Sequence, residues 1–296
     1  MNLILECLLL FGTILFSFIE SFVKLFLPKT RKPLSGELVL ITGAGHGIGK
    51  ATALQFARHG ATLILWDINK EGVQETASEC QQLGAKAHAY QVDCIKREDI
   101  YKMAEKVQKD IGDVTVLINN AGVVTCTDLL TTTDDQTLQT FSVNILAHFW
   151  TTRAFLPAMM KNNHGHIVTV ASAAGHFGTP FLVDYSASKF AAVGFHEALT
   201  EELNVLGKEG IKTTCLCPFF VNTGFVANIS SRLIPVLEVE YVVDKLIDGI
   251  QTNKRMIFLP PSVYISVLIK WLFPVRAVKA MSKFHQIKFE DRKKED

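Results

Sequence analysis

No two of the six cysteines stand at the CxxC spacing, and no run of cysteine and histidine repeats at the intervals of a metal-ligand set. The thiols at 7, 80, 94, 126, 215 and 217 lie in apolar contexts and read as reduced, buried groups in a protein facing the cytosol. An excess of one charge sign is also missing. Lys and Arg total 30 against 29 for Asp and Glu, a formal charge of +1, so no global field draws the chain towards nucleic acid, and no nucleic-acid motif is present. Internal repeats and low-complexity linkers are absent as well. With 48% hydrophobic and 20% charged residues over 296 positions, disorder and a fibrous role are excluded, and the chain can bury a full core.

One apolar run stands apart from the rest. From Cys7 to Ile19, CLLLFGTILFSFI gives thirteen residues without a charge. As a helix that run covers about 20 Å, short of the roughly 30 Å hydrocarbon core of a bilayer. A span would also have to accommodate Glu20 and Lys24, four apart on one helix face, by pairing or snorkelling. A shallow or hairpin-like insertion therefore stands beside a simple span. No Lys or Arg precedes the run, whereas Lys29, Arg31 and Lys32 follow it, and no clear small-x-small cleavage site is present. This is the pattern of a retained segment attached to a membrane or lipid surface, with the body of the protein on the cytosolic side. Docking on the protein's own core or on a partner subunit is the alternative. Residues 1–35 thus read as anchor and basic linker.

Beyond the linker, short apolar strands alternate with amphipathic helices. ELVLIT at Glu37–Thr42 reads as a buried strand and Gly47–Arg58 as a helix; Ala61–Trp66, Lys86–Val92 and Val114–Ile118 continue the strands, with helices at Lys70–Leu83 and Glu98–Ile111 between them. A long helical stretch from about Asp134 to Lys161 is expected to be kinked or interrupted around Pro157. Then follow a strand at His166–Ala171, a helix at Tyr185–Leu206, a strand at Ile211–Leu216, a helix near Val239–Gln251 and a strand near Met256–Leu259. This alternation calls for an α/β fold, a doubly wound and mostly parallel sheet covered on both faces, over residues 36–262. In the remaining segment, 263–296, apolar Val263–Phe273 ends at Pro274 and is followed by Arg276, Lys279 and Lys283. It resembles a basic amphipathic helix able to lie on a bilayer or cover a substrate entrance; a plain packing helix is the alternative. The last nine residues carry four basic and four acidic side chains and are expected to stay solvated.

The first strand runs directly into Thr42-Gly43-Ala44-Gly45-His46-Gly47-Ile48-Gly49 and then into a helix. Gly43, Gly47 and Gly49 let the backbone turn tightly and approach a pyrophosphate, and the helix end that Ile48 opens supplies unpaired N–H groups to the anion. The second strand ends at Asp67, eighteen residues beyond Gly49. A carboxylate there accepts the hydroxyls of an adenosine ribose and repels a 2′-phosphate, which predicts NAD rather than NADP as cofactor. Asp93, after the third strand, is placed to face adenine, with Cys94 as its structural neighbour. After the fourth strand comes Asn119-Asn120-Ala121-Gly122, where Asn120 and two small residues can approach the cofactor.

Tyr185 and Lys189 are four apart on an expected helix and share a face. Ser172 lies thirteen residues before Tyr185, just past a strand's carboxyl end, where open parallel sheets hold their ligands. A lone YxxxK says little. The ordered set of glycine turn, acidic strand end, NNAG, Asn144, Ser172 and Tyr185 with Lys189 says much more.

With these residues the chain resembles the classical short-chain dehydrogenase/reductase family over roughly 36–260. TGAGHGIGK, LILWDIN, NHGHIVTVAS, SKFAAVGFH, CLCPFFVNTGF and the amino-terminal SFVKLFLPK are similar to the 17-beta-hydroxysteroid dehydrogenase type 11 and type 13 group. The resemblance implies that Tyr185 is the general acid/base, and that Lys189 lowers its pKa and binds the nicotinamide ribose. Ser172 would orient the reacting oxygen, Asn144 would organise a helix bend and a water-mediated proton relay, and Thr223 would contact the nicotinamide carboxamide. Phenolate formation is the physical problem, since tyrosine starts near pKa 10. No metal is needed. His46 reads as a side chain of the glycine turn, and His148, His164, His166 and His176 lack ligand spacing and read as structural or exposed.

Many family members carry Pro-Gly where this chain has Pro218-Phe219, which puts bulk near the expected nicotinamide entrance. Residues from Asn222 to Leu237 are expected to form much of a substrate lid. Phe225, Ile229, Leu233, Ile234 and Leu237 there, together with Phe177, Phe181 and Leu182, suit a hydrophobic small-molecule substrate: a steroid, retinoid or other lipid alcohol or ketone. Ordinary core or dimer contacts are the competing account. The subgroup implies a location on lipid droplets and the endoplasmic reticulum membrane, and the family's paired helices imply a homodimer. The competing function is a nucleotide-sensing structural protein on a lipid surface, against which the intact Asn144, Ser172, Tyr185 and Lys189 set argues.

Overall fold

A computed structural model of the chain describes residues 3–24, 26–27, 30–225, 229–232, 235–285 and 287–289. Two compact units result, Met1–Lys32 and Pro33–Asp296. Lys29, Leu233, Ile234 and the tail beyond Phe289 lie outside the described residues, and Ile229 is described in its backbone alone.

The first unit is one helix, α1 (Leu3–Lys24). Its 22 residues correspond to about 33 Å, and Leu3–Val23 is long and apolar enough to cross a membrane by length and composition. Counting uncharged residues understated it: Leu3, Ile4 and Leu5 precede Glu6, and Phe22 and Val23 follow Glu20, so the apolar surface continues past both charges. The helix runs uninterrupted from Leu3 to Lys24. Inside it the hydroxyls of Thr13 and Ser17 donate to the carbonyls of Leu9 and Thr13, four residues back, so neither polar group requires water.

The second unit is built on seven parallel strands in the order β3-β2-β1-β4-β5-β6-β8. They are β1 (Leu38–Thr42), β2 (Thr62–Asp67), β3 (Ala87–Gln91), β4 (Val116–Asn119), β5 (Gly165–Val170), β6 (Ile211–Pro218) and β8 (Met256–Leu259). The helices α2 (Gly47–Arg58), α3 (Lys70–Gln82) and α8 (Val239–Gln251) contribute to the core on one face; α4 (Arg97–Asp110), α6 (Ala147–Asn162) and α7 (Val183–Val205) contribute to that on the other. Because both faces are covered, the strands read as near-continuous apolar runs: Val39, Leu40, Ile41, Leu63, Ile64 and Leu65 have no exposed surface. Leu34, in the expected linker, is buried in this core. Chain order reverses between β1 and β4, and the crevice above that point is where such sheets bind ligands.

Two departures bear on the site. The stretch from Asp134 is interrupted, but not at Pro157: α5 (Asp134–Phe141) gives way to one wide π-helical turn, Ser142–Leu146, before α6. Pro157 sits within α6, where it and Arg153 are exposed, so the carbonyl that loses its partner faces water. Leu237 is not a lid residue. It is buried in the core with Val242 and Val243, its N–H donating to the Phe220 carbonyl at 2.8 Å.

Two helices, α9 (Ser262–Leu272) and α10 (Val275–His285), form the carboxy-terminal extension. After α10, β9 (Ile287–Phe289) pairs antiparallel with β7 (Ile229–Ser231), a ribbon the sequence did not announce. No disulfide occurs among the described residues; four cysteines are buried as expected, whereas Cys7 and Cys126 are exposed.

Candidate active site

The turn from β1 into α2 forms one edge of a cavity of about 260 Å³. Gly49 does not line it but makes it possible, since a Cβ there would fall 2.0 Å from the Gly43 carbonyl oxygen. Gly47 has φ +55°, and a Cβ there would come within 3.2 Å of the side chain of Thr223, which also lines the cavity. At the end of β2, Asp67 is fixed by two backbone donors: the Gly45 N–H to Oδ2 and the Asn69 N–H to Oδ1, both at 2.8 Å. The acid is thereby held against the glycine turn with lone pairs still available to hydroxyl donors. A turn that only glycine fits, beside a helix end and an oriented carboxylate, suits a dinucleotide.

Asn120 borders the same cavity, but its amide is a clamp. Nδ2 donates to the carbonyls of Thr42 and Gly43 at 2.9 and 3.1 Å, while the Thr42 hydroxyl accepts from the N–H groups of Asn120 and Ala121 at 3.0 Å each. Thr42 is thus the joint that registers the β4 loop against the glycine turn, a role sequence reasoning missed. Its signal was a hydroxyl residue closing the strand immediately before the first glycine.

Asn144 has no exposed surface and lies in the π turn. Its Oδ1 accepts from the Val123 N–H at 2.8 Å, and its Nδ2 donates to the Val123 carbonyl at 2.9 Å and to Ser188 Oγ at 3.0 Å. Ser188 in turn donates to the Tyr185 carbonyl at 2.7 Å. The residue joins α7, the loop after β4 and the widened helix; it does not line the cavity.

Ser172, Tyr185 and Lys189 all face the cavity. Ser172 Oγ accepts from the Ala174 N–H at 3.1 Å. Tyr185 is only half-buried as a residue, yet its surroundings desolvate the phenol enough to push it up to about 12, opposed by a hydrogen bond with Ser172. Lys189 is buried; its Nζ donates to the Val170 carbonyl at 2.9 Å and stands 5.6 Å from the Tyr185 ring centre. Desolvation pulls Lys189 down to about 8, with Cys215 and Cys217 behind it pulling the other way. The protein's own groups therefore leave Tyr185 protonated at neutral pH.

The cavity brings together Gly43, Gly47, Ile48, Asp67, Asn120, Ser172, Tyr185, Lys189 and Thr223. Asp93 lies off its wall, where Oδ1 accepts from the Ile95 N–H at 3.1 Å and Oδ2 pairs with Lys96 at 3.7 Å. Of the apolar candidates, Leu182, Phe219 and Phe225 line the cavity, and Phe225 packs at 6.2 Å from the Tyr185 ring. Phe177 and Phe181 do not line it. Phe220, Val221 and Thr179 do, and were not singled out from the sequence. Among the described residues no cluster of His, Cys, Asp and Glu is arranged to hold a metal ion. His148 is buried, with Nδ1 lacking a partner, and burial pulls it down to about 3.

A glycine turn at the switch point of a parallel sheet, facing a serine, tyrosine and lysine across one cavity, is the arrangement of a dinucleotide-dependent oxidoreductase. The family model described as short chain dehydrogenase matches residues 37–233, and the chain belongs to that family. It is 58% identical to human 17-beta-hydroxysteroid dehydrogenase 13 and 57% identical to human estradiol 17-beta-dehydrogenase 11, each over 98% of this chain and 97% of the relative. Among solved structures, a short-chain dehydrogenase/reductase from Burkholderia phymatum in complex with NAD superposes with a TM-score of 0.75 at 24% identity, covering 86% of this chain and 97% of that one. A short-chain dehydrogenase from Sphingobium yanoikuyae in complex with NADPH gives 0.70 at 25% identity, with coverage of 84% and 94%. The chain is a short-chain dehydrogenase enzyme closely related to the type 11 and type 13 dehydrogenases.

Proposed function

We propose that the protein oxidises a hydrophobic alcohol, a steroid, retinoid or other lipid, to its ketone or aldehyde with NAD, while attached to a lipid surface. The observation that carries this reading is the convergence of Ser172, Tyr185 and Lys189 on a cavity whose lining also includes Leu182, Phe219, Phe220 and Phe225. The relatives named for steroid and estradiol dehydrogenases support the substrate class.

A bound oxidised nicotinamide supplies the hydride acceptor and a positive charge beside the phenol. Ser172 positions the substrate hydroxyl, and Tyr185 takes its proton once its pKa has been lowered from about 12. Lys189, oriented by the Val170 carbonyl, holds a cation behind the phenol and offers donors to a ribose. Asn144 acts as a positioning residue, keeping Val123 and α7 in register. Asp67 favours NAD, because a 2′-phosphate would meet its carboxylate. Thr223 would offer its hydroxyl to the carboxamide, while Gly43, Gly47, Ile48, Gly49 and Asn120 would shape the phosphate cradle; Asp93, off the cavity wall, would meet the adenine end.

Attachment is assigned to α1 followed by Arg31 and Lys32, on lipid droplets and the endoplasmic reticulum membrane with the catalytic unit in the cytosol. A homodimer is favoured along α6 and α7, where Phe149 and Phe190 remain exposed, with Leu146 just before α6. The test is NADH formation by the detergent-solubilised protein on a panel of steroids, retinol and other lipid alcohols. Tyr185→Phe should lose at least about 100-fold in turnover while still binding NAD. Near-normal turnover by that variant would refute the assignment, and NAD binding without turnover across the panel would favour a nucleotide sensor.

A further inference from the structure

The carboxy-terminal extension buries Val263 but presents most of its large apolar residues outward. On α9, Ile265, Leu268 and Leu272 follow each other at spacings of three and four, flanked by Tyr264 and Trp271, and all five are exposed, Trp271 by 76% and Leu272 by 77%. Phe273 and Val275 continue this surface around the corner into α10. There Arg276, Lys279 and Lys283 repeat at three and four residues and are likewise exposed. Among the described residues none of the three cations has an acidic partner.

We infer that this corner is a second lipid-contact site, in which Trp271, Leu272, Phe273 and Val275 enter the interface and Arg276, Lys279 and Lys283 meet anionic head groups. The inference rests on the lipid-surface reading and deepens it by assigning a contact to the catalytic unit itself. An apolar apex carrying an exposed tryptophan, followed directly by a basic stripe, is the chemistry of an interfacial helix. A patch of this kind is larger than scattered surface apolar residues explain. A second copy of the chain fits less well, because a twofold contact centred on the corner would bring two copies of the same cationic stripe together.

The extension is fastened at two points to segments that neighbour the cavity lining in sequence. Lys270 Nζ donates to the His176 carbonyl at 2.8 Å, at the end of the short turn that begins after Ser172. Through β9, the extension also pairs with β7, which begins four residues after Phe225. Contact of α9 and α10 with lipid would therefore hold the substrate wall beside the phase in which a hydrophobic alcohol dissolves.

The test uses the full chain reconstituted into phosphatidylcholine vesicles with and without phosphatidylserine, with some acyl chains brominated near the head group. Of three tryptophans Trp66 is fully buried, so a Trp150→Phe background leaves Trp271 as the accessible reporter, and α1 contains none. Trp271 should be quenched by the brominated lipid, more strongly with phosphatidylserine. Each basic residue near an anionic surface is worth about five-fold in partition, so replacing Arg276, Lys279 and Lys283 together with glutamine should weaken the contact about 100-fold and abolish the phosphatidylserine effect. Trp271 left unquenched in vesicles that carry the chain on flotation overturns the proposal and leaves the anchor reading intact. A chain that floats with neither composition overturns both. A detergent-solubilised dimer that Leu272→Asp converts to monomer assigns the face to a second copy and overturns the proposal as well.

Discussion

Replacing Asn144 with alanine would remove three hydrogen bonds at one buried point. Two of them satisfy the Val123 backbone, at 2.8 and 2.9 Å, and the third reaches Ser188. Ser188 keeps its bond to the Tyr185 carbonyl, so the damage concentrates on Val123. A buried polar group left without a partner costs about 1–3 kcal/mol, and Val123 is half-buried, so the two orphans together should cost about 2–4 kcal/mol. For a chain of this size that corresponds to a fall in Tm of about 4–15 °C. Urea unfolding gives the free energy directly. Kinetics provide a second readout: Ala121 and Gly122, just before Val123, line the cavity, so kcat should fall together with cofactor affinity. A loss of stability below about 0.5 kcal/mol, the scatter of neutral surface changes, would refute the reasoning.

Three further substitutions test other parts of the site. Gly49→Ala drives a Cβ to 2.0 Å from the Gly43 carbonyl and should destabilise by about 3 kcal/mol with loss of NAD binding, read by thermal melts and NAD titration. Asp67→Ala removes the charge that meets a 2′-phosphate and should shift the ratio of kcat/KM for NAD over NADP by about ten-fold or more towards NADP. Because Lys189 has a folded pKa of about 8 against an ordinary 10.5, the unfolded chain binds the extra proton between those values. Stability from this group should therefore rise with pH from about 8 to 10.5, by up to about 3 kcal/mol, and denaturant titrations of Lys189→Met across that window should lack the rise.

Much of the fold was legible because local and tertiary preferences agree. The helices Gly47–Arg58 and Val239–Gln251 and the strand Met256–Leu259 begin and end where their patterns do. Tyr185 and Lys189 share a face because four residues return a helix to the same side, whatever surrounds it. Elsewhere the deciding contacts are distant in sequence. Pro157 advertises a break, but whether a freed carbonyl matters depends on solvent, and there it is exposed. The true interruption at Asn144, where the family resemblance implied a helix bend, is held by Val123, twenty-one residues away, and no local pattern in SVNIL marks it. The β7 and β9 ribbon joins three-residue strands from opposite ends of the substrate region, too short to carry a period of their own. At the amino terminus, a rule that stops at the first charge cuts α1 short, because single acids at Glu6 and Glu20 do not end the helix.

The wide turn at Ser142–Leu146 places one more residue between α5 and α6 than a regular helix would use. Deleting a single residue there would restore the tighter hydrogen-bonding register, and it would also swing Asn144 about a quarter-turn away from Val123. Straightening the helix would therefore cost the site together with the stability that the Val123 contacts supply, so a variant regularised for helix geometry alone would have unlearned its chemistry. The surplus residue is a memory of function written into the backbone, kept because the loop beside the cavity depends on it.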